Sequence, residues 1–226
     1  HFCAVRGGEP EELDKKEPRQ LARAVEKLDL KHVVITSVTR DDLSDGGAAH
    51  FVRCIKNIRS RRPETIIEIL TPDFNMKREA IEKVVAAEPD IFNHNVETVP
   101  RLYSKVRPEA DYNRSLQVLS YINELNENIY TKSGIMLGLG EKKSEIIKVM
   151  KELRNVNCEI ITIGQYLQPG KNQLEVSEYI PPEKFEEYKK TGQNLCFKYI
   201  ASGPYVRSSY QAEEFSKKYL HEGRDS

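Results

Sequence analysis

No run of apolar residues in the sequence approaches the ~20 that a membrane-spanning helix needs. Nor is there an excess of charge of either sign: 35 Lys and Arg stand against 35 Asp and Glu. A neutral chain lacks the basic field that draws polyanions, so neither a nucleic-acid partner nor a membrane is expected. Cysteine is scarce. Cys3, Cys54, Cys158 and Cys196 are not paired at metal spacing and suggest no disulfide framework. That usage fits a reducing compartment, and a cytoplasmic location is expected. No Gly-x-Gly-x-x-Gly follows a strand-like run, so the dinucleotide fingerprint is missing. His94 has no second histidine at ligand spacing, which argues against a histidine-based metal site. No secretory signal is visible, and the chain opens on His1 rather than Met.

What is present is a regular alternation. Residues 33–38, 66–70, 91–96, 130–137 and 160–166 are short, nearly continuous apolar runs, as parallel strands covered on both faces should be. Amphipathic helical patterns lie between them, such as Phe51, Val52, Ile55 and Ile58, or Ile146, Ile147, Met150 and Leu153. Pro181-Pro182 opens a further helix toward Leu195, because proline suits a first helical turn. This repeated βα pattern predicts an α/β fold, a barrel or partial (β/α) barrel of parallel strands with outer helices. A doubly wound open sheet is the alternative. The length suits one sizeable domain, expected over residues 1–215, with a polar tail over 216–226 that frays. Cys54, Cys158 and Cys196 are read as buried thiols. Arg59, Arg61 and Arg62 are read as a solvated helix C-terminus.

The strand ends are polar. They run into Thr36-Ser37, into Thr71-Pro72-Asp73, into Asn93-His94-Asn95-Val96-Glu97, into Lys132-Ser133-Gly134 and into Gln165-Tyr166. Working residues of α/β barrels gather at the C-terminal ends of strands, so these positions predict an active-site rim. His94 reads more simply as a hydrogen-bonded structural histidine. Lys132 could be a Schiff-base nucleophile, or could pair with Glu97 or with a ligand's carboxylate. Asp41, Asp42 and Asp45 are candidate caps of a helix starting near Gly47.

Motifs at both ends and between them resemble one family. They are Phe2-Cys3; Thr36-Ser37-Val38-Thr39-Arg40-Asp41-Asp42; Leu70-Thr71-Pro72-Asp73-Phe74; and Asn93-His94-Asn95-Val96-Glu97-Thr98. Val106-Arg107-Pro108, Thr131-Lys132-Ser133-Gly134, Gly138-Leu139-Gly140-Glu141, Gly164-Gln165-Tyr166 and Ser202-Gly203-Pro204 follow in order, closed by Arg207-Ser208-Ser209-Tyr210. From Phe2 to about Glu214 the order is similar to that of the lipoyl synthases of the radical S-adenosylmethionine (SAM) superfamily.

The resemblance implies a radical SAM partial barrel, two 4Fe–4S clusters and SAM. The implied reaction inserts sulfur at carbons 6 and 8 of an octanoyl chain on a carrier-protein lysine. Cys3 corresponds to the third cysteine of the radical-generating cluster. Ser209, with Ser208 the alternative, corresponds to the serine ligand of the auxiliary cluster. Thr36, Ser37, Asn93, Asn95, Glu97, Lys132 and Ser133 are the implied cofactor-binding residues.

Implied partners are octanoylated lipoyl carrier domains (glycine cleavage H protein and the E2 subunits of 2-oxoacid dehydrogenases). A reduced flavodoxin or ferredoxin is the implied electron donor.

The chain departs from that pattern in ways that matter. The other cluster cysteines would precede His1, and so would the first barrel strand. The resemblance therefore implies a fragment, inactive by itself. Two other readings stay open: another radical SAM sulfur-inserting enzyme similar to biotin synthase, and a Schiff-base barrel lyase using Lys132.

Overall fold

The computed structural model describes Phe2, Cys3, Gly8, residues 10–210, Glu214 and Phe215. The tail expected over 216–226 lies outside the described residues. The elements in chain order are α1 (Glu17–Lys27), β1 (His32–Thr36), α2 (Ala48–Arg61), β2 (Ile66–Leu70), α3 (Arg78–Val85) and β3 (Ile91–Asn93). After these come α4 (Tyr103–Val106), α5 (Tyr112–Leu125), β4 (Tyr130–Leu137), α6 (Lys143–Asn155), β5 (Ile160–Gln165), α7 (Pro182–Asn194) and β6 (Tyr199–Gly203). The strand order is β1-β2-β3-β4-β5-β6, with no reversal. A doubly wound sheet needs a reversal at its switch point, so the barrel-type alternative holds.

The chain folds as two compact units. One contains residues 9–93 and 121–130. In it β1, β2 and β3 pair in parallel, Val33 beside Ile67 and Ile69 beside Phe92. Ile66, Ile67 and Ile69 are fully buried, as are Ile55 and Ile58 of α2. Asp45 starts α2: its carboxylate accepts from the backbone N–H of Gly47 at 3.0 Å and of Ala49 at 2.9 Å. That satisfies donors a helix start leaves unpaired. Asp42 instead takes the Arg40 guanidinium at 2.7 and 2.8 Å. The basic cluster at the end of α2 is structural rather than merely solvated. Arg59 donates to the carbonyls of Pro63 and Thr65 and to Asp90, while Arg61 pairs with Glu26 and Arg62 with Asp29 and Glu64.

The other unit contains Phe2, Cys3 and residues 94–120 and 131–210. In it β4, β5 and β6 pair in parallel, Gly134 beside Thr162 and Thr162 beside Ala201. Its core gathers Leu119, Ile135, Leu137, Met150, Leu153, Ile161, Ile163 and Phe185, and the half-buried Phe2 packs against it. Pro182 begins α7, as the double proline predicts.

Two expectations need correction. The strand expected over 91–96 ends at Asn93. The chain continues beside β4, with His94 N–H donating to Lys132 O and Glu97 N–H to Gly134 O. These bonds take the place of a regular ladder, and Glu97 at the end of the segment has φ +63°, a left-handed value. Cys196, expected buried, is exposed: it sits in the turn just past α7 at φ +61°, and the next residue, Phe197, takes the buried place. Cys54 and Cys158 are buried as expected.

Candidate functional site

In the unit holding β4 to β6, buried polar groups converge. Asn95 and Lys132 are 7% and 3% exposed, and Ser133 is fully buried. A residue burying amide or ammonium groups loses solvation and needs partners. The Asn95 side-chain amide donates to Glu97 Oε1 at 3.0 Å and to Ser208 Oγ at 3.0 Å. Lys132 Nζ donates to the backbone carbonyl of Ser208 at 2.6 Å. Ser133 Oγ accepts the backbone N–H of Val96 at 3.1 Å, which pins the turn carrying Asn95 and Glu97. Arg107 donates to the Asn95 carbonyl at 3.0 Å.

Glu97 carries the electrostatic interest. Burial pushes its carboxyl above the usual range, while the Arg107 charge and the Asn95 hydrogen bond pull it back down. Its left-handed backbone is held by Gly134 O and by Met136 N–H, which donates to Glu97 O at 2.8 Å. A strained residue fixed by neighbours is a common property of binding sites.

The segment after β6, residues 204–210, is a strap docked by close backbone approach. A Cβ on Gly164 would lie 2.2 Å from Val206 O, so only glycine admits the strap there. A Cβ on Gly134 would stand 2.8 Å from Asn95 Oδ1 and 2.9 Å from Thr162 Oγ1. Tyr210 N–H closes a turn on Arg207 O at 2.9 Å. Within this turn Ser208 is half-buried and Ser209 is exposed.

Other sequence-predicted residues fall as follows. Cys3 is exposed, next to the anchored Phe2. His94 Nε2 lies 3.0 Å from Ser115 Oγ, the structural role read from sequence. In the unit holding β1 to β3, Thr36 and Ser37 are exposed at the end of β1. They line a cavity of about 250 Å³ with Leu13, Glu17, Arg40 and His50. In that same unit Asn93 is buried and donates to Glu68 Oε1 at 3.0 Å. Glu68 lies 3.5 Å from His32 Nε2.

Sequence reasoning missed Glu68, Arg107, Thr162 and Gly164 as parts of these clusters. Glu68 had a signal, being the one charge in an apolar strand run. Arg107 lay in a quoted motif without a role. Thr162 and Gly164 are ordinary strand letters whose facing is set only by register.

The donor set can be tested against the groups that a SAM enzyme uses. Asn95 Oδ1 is a buried acceptor with no hydrogen-bond partner among the described residues. With the Glu97 carboxyl it forms an acceptor-rich site, suited to a cationic ligand bearing hydroxyl and ammonium donors, which SAM is. For a 4Fe–4S cluster the described residues offer single ligands, the exposed Cys3 and a strap serine, and not a complete set. Among the described residues no three His, Cys, Asp or Glu side chains come together to hold a metal. Burial lifts the Cys54 thiol to about 11 and the Cys158 thiol to about 12, so neither is a ready thiolate.

Comparison with known proteins gives these features a family. SuiB of Streptococcus suis, solved bound to S-adenosylmethionine, matches with a TM-score of 0.70 at 12% identity, over 96% of this chain and 51% of SuiB. HydG, a maturase of the FeFe hydrogenase, matches at 0.65 and 13% identity, over 88% of this chain and 51% of HydG. At these identities the likenesses show the fold alone, a partial barrel of parallel strands.

The sequence profile of the Radical SAM superfamily matches residues 1–153. The lipoyl synthase of Caldanaerobacter subterraneus subsp. tengcongensis is 56% identical over 212 residues, 94% of this chain and 74% of that protein. The lipoyl synthase of Caldicellulosiruptor saccharolyticus is 55% identical over 216 residues, 96% of this chain and 76% of that protein. The chain belongs to the lipoyl synthase family of the radical SAM superfamily. Among the described residues, no helix is long and apolar enough to cross a membrane.

Proposed function

We propose that this chain carries the SAM site and the sulfur-transfer strap of an enzyme that inserts two sulfur atoms at carbons 6 and 8 of a protein-bound octanoyl-lysine. The observation that carries the reading is the docking of Ser208 onto Asn95 and Lys132. It joins the Arg207-Ser208-Ser209-Tyr210 motif to the same buried cluster as Glu97.

In this reading Asn95 and Glu97 accept hydrogen bonds from SAM, and Ser133 and Arg107 hold their backbone in place. Bound SAM supplies the 5′-deoxyadenosyl radical that removes hydrogen atoms from the octanoyl chain. Cys3 would give one thiolate to the radical-generating 4Fe–4S cluster. The strap would give one hydroxyl to a second, auxiliary cluster. For that role the geometry favours Ser208 over Ser209, because its hydroxyl already faces Asn95 while Ser209 is exposed. An alkoxide is a hard, poorly matched ligand for iron–sulfur, and so a displaceable one.

The partners proposed are octanoylated carrier domains and a reduced flavodoxin or ferredoxin, in the cytoplasm. The biotin synthase-like and Schiff-base readings gain nothing specific from this site. The test is to incubate the natural full-length protein, loaded with iron and sulfide, with SAM, a reductant and an octanoyl-lysine peptide. A peptide that gains two sulfurs supports the reading. Formation of 5′-deoxyadenosine with no sulfur gained overturns it.

A further inference from the structure

Lys132 lies near the start of β4, where a strand-borne ammonium is costly to bury without a partner. Lys132 Nζ reaches the strap instead of solvent and donates to the Ser208 backbone carbonyl at 2.6 Å. A second anchor lies one residue's reach away, where the Asn95 amide holds the Ser208 hydroxyl. The third is steric: Val206 O rests on the bare Cα of Gly164. Three contacts therefore fix three atoms of one strap, and two of them converge on Ser208. Among the described residues, nothing comparable holds Ser209.

We propose that Lys132 is a positioning residue of the strap, setting where the Ser208 hydroxyl stands, rather than a contact to SAM. The inference rests on the functional reading of the strap given above. A charge-assisted hydrogen bond to a carbonyl is stronger than a neutral one, so Lys132 dominates the pair of anchors. Asn95 then fixes the hydroxyl's direction, and Gly164 sets the depth of the turn. The strap's other bonds lie before Ser208 or within its turn: Val206 N–H to Gly203 O at 3.1 Å, Gln165 N–H to Pro204 O at 3.4 Å, the Arg207 guanidinium to Val206 O at 2.7 Å and Pro204 O at 3.4 Å, and Tyr210 N–H to Arg207 O at 2.9 Å. Without Lys132, Ser208 itself would be held to the body of the unit by the neutral Asn95 bond.

The first test is amide hydrogen exchange on the 226-residue chain. Lys132→Met keeps the side-chain length and removes the donors. Exchange at Val206 and Tyr210 is expected to speed up roughly 10- to 100-fold, with the Ile161 and Ile163 amides of β5 unchanged. Gly164→Ala lifts the strap without touching Lys132 and serves if Lys132→Met does not fold. It should give the same local acceleration. Unchanged exchange in a folded Lys132→Met overturns the proposal.

The second test separates the two roles in the natural, cluster-loaded full-length protein. Lys132→Met should keep 5′-deoxyadenosine formation and lower the ratio of sulfur-bearing product to 5′-deoxyadenosine, as Ser208→Ala should. Loss of 5′-deoxyadenosine formation itself, with the strap amides unchanged, would make Lys132 a SAM contact and overturn the proposal. If Ser208→Ala leaves the ratio unchanged while Lys132→Met still loosens the strap, the positioning role stands and the functional reading of Ser208 falls.

Discussion

The side-chain amide of Asn95 and the hydroxyl of Ser208 meet at 3.0 Å across 113 residues of sequence. The same amide also holds Glu97 at 3.0 Å. One donor group thus links the strained Glu97 turn to the strap that follows β6. Disturbing either side should reach the other through Asn95.

Gly164 gives the cleanest way to disturb the strap. A methyl group there would meet the Val206 carbonyl oxygen at 2.2 Å, and backbone cannot yield as a flexible side chain can. Gly164→Ala should displace the strap, lower sulfur transfer at least tenfold and leave the protein folded, an effect of order 1.4 kcal/mol or more on the transition state. Gly8→Ala, with nothing within 4 Å, is the matching silent control. Product assays on both variants check this. A Gly164→Ala protein with normal product would remove the strap from the account.

The buried Glu97 predicts a pH dependence. Its carboxyl is raised above its ordinary 4.5 by burial. In the unfolded chain it ionises near that ordinary value, so the unfolded state loses its proton first as pH rises. The stabilising contribution is complete below about 4.5 and is lost as pH rises through the folded value. Glu97→Gln carries no such charge. Denaturant curves should therefore show the wild type losing stability relative to Glu97→Gln from about pH 4.5 upward. Parallel curves across that range would contradict the burial of the acid.

Glu145 runs the other way. The Arg101 guanidinium, at 2.7 Å, and the Lys142 backbone N–H together lower its carboxyl to about 2. Its stabilising contribution is present above the unfolded value and is lost as pH falls from about 4.5 to about 2. Both side chains are partly exposed, so the effect is small and weakens with salt. Urea titrations should find the wild type slightly more stable than Glu145→Gln at pH 7 and equal to it near pH 2.

The sequence carried the broad fold because each strand is an apolar run and each helix a period near 3.6. It carried the candidate site because polar residues sat where the strands end. It could not carry facing. Gly134, Thr162 and Gly164 point at Asn95 or Val206 only through the register of β4 and β5. β3 ends at Asn93, and the positive φ at Glu97 four residues on is one that no residue preference announces. Lys132 was legible as a site residue but not as a partner of Ser208, since that contact spans 76 residues. The choice between Ser208 and Ser209 was open in sequence because both are small hydroxyls in one turn.

Cysteine labelling tests the placement of the thiols. Cys3 and Cys196 are exposed, whereas Cys54 and Cys158 are buried with thiols lifted to about 11 and about 12. At pH 8 iodoacetamide should modify Cys3 and Cys196 in the folded chain, and Cys54 and Cys158 only after unfolding. Peptide mapping checks the order. Rapid native labelling of Cys158 would contradict its place in the core.

The central claim is that the strap hydroxyl serves sulfur transfer while Asn95 and Glu97 serve SAM. It is tested most directly by Ser208→Ala in the natural full-length protein loaded with iron and sulfide. The measurement is 5′-deoxyadenosine and sulfur-bearing octanoyl peptide, quantified separately in the same reaction. The account predicts that 5′-deoxyadenosine stays within about threefold of wild type, less than 1 kcal/mol, while the sulfur-bearing product falls at least tenfold. Equal loss of both products from a folded variant, or no loss of either, would contradict it.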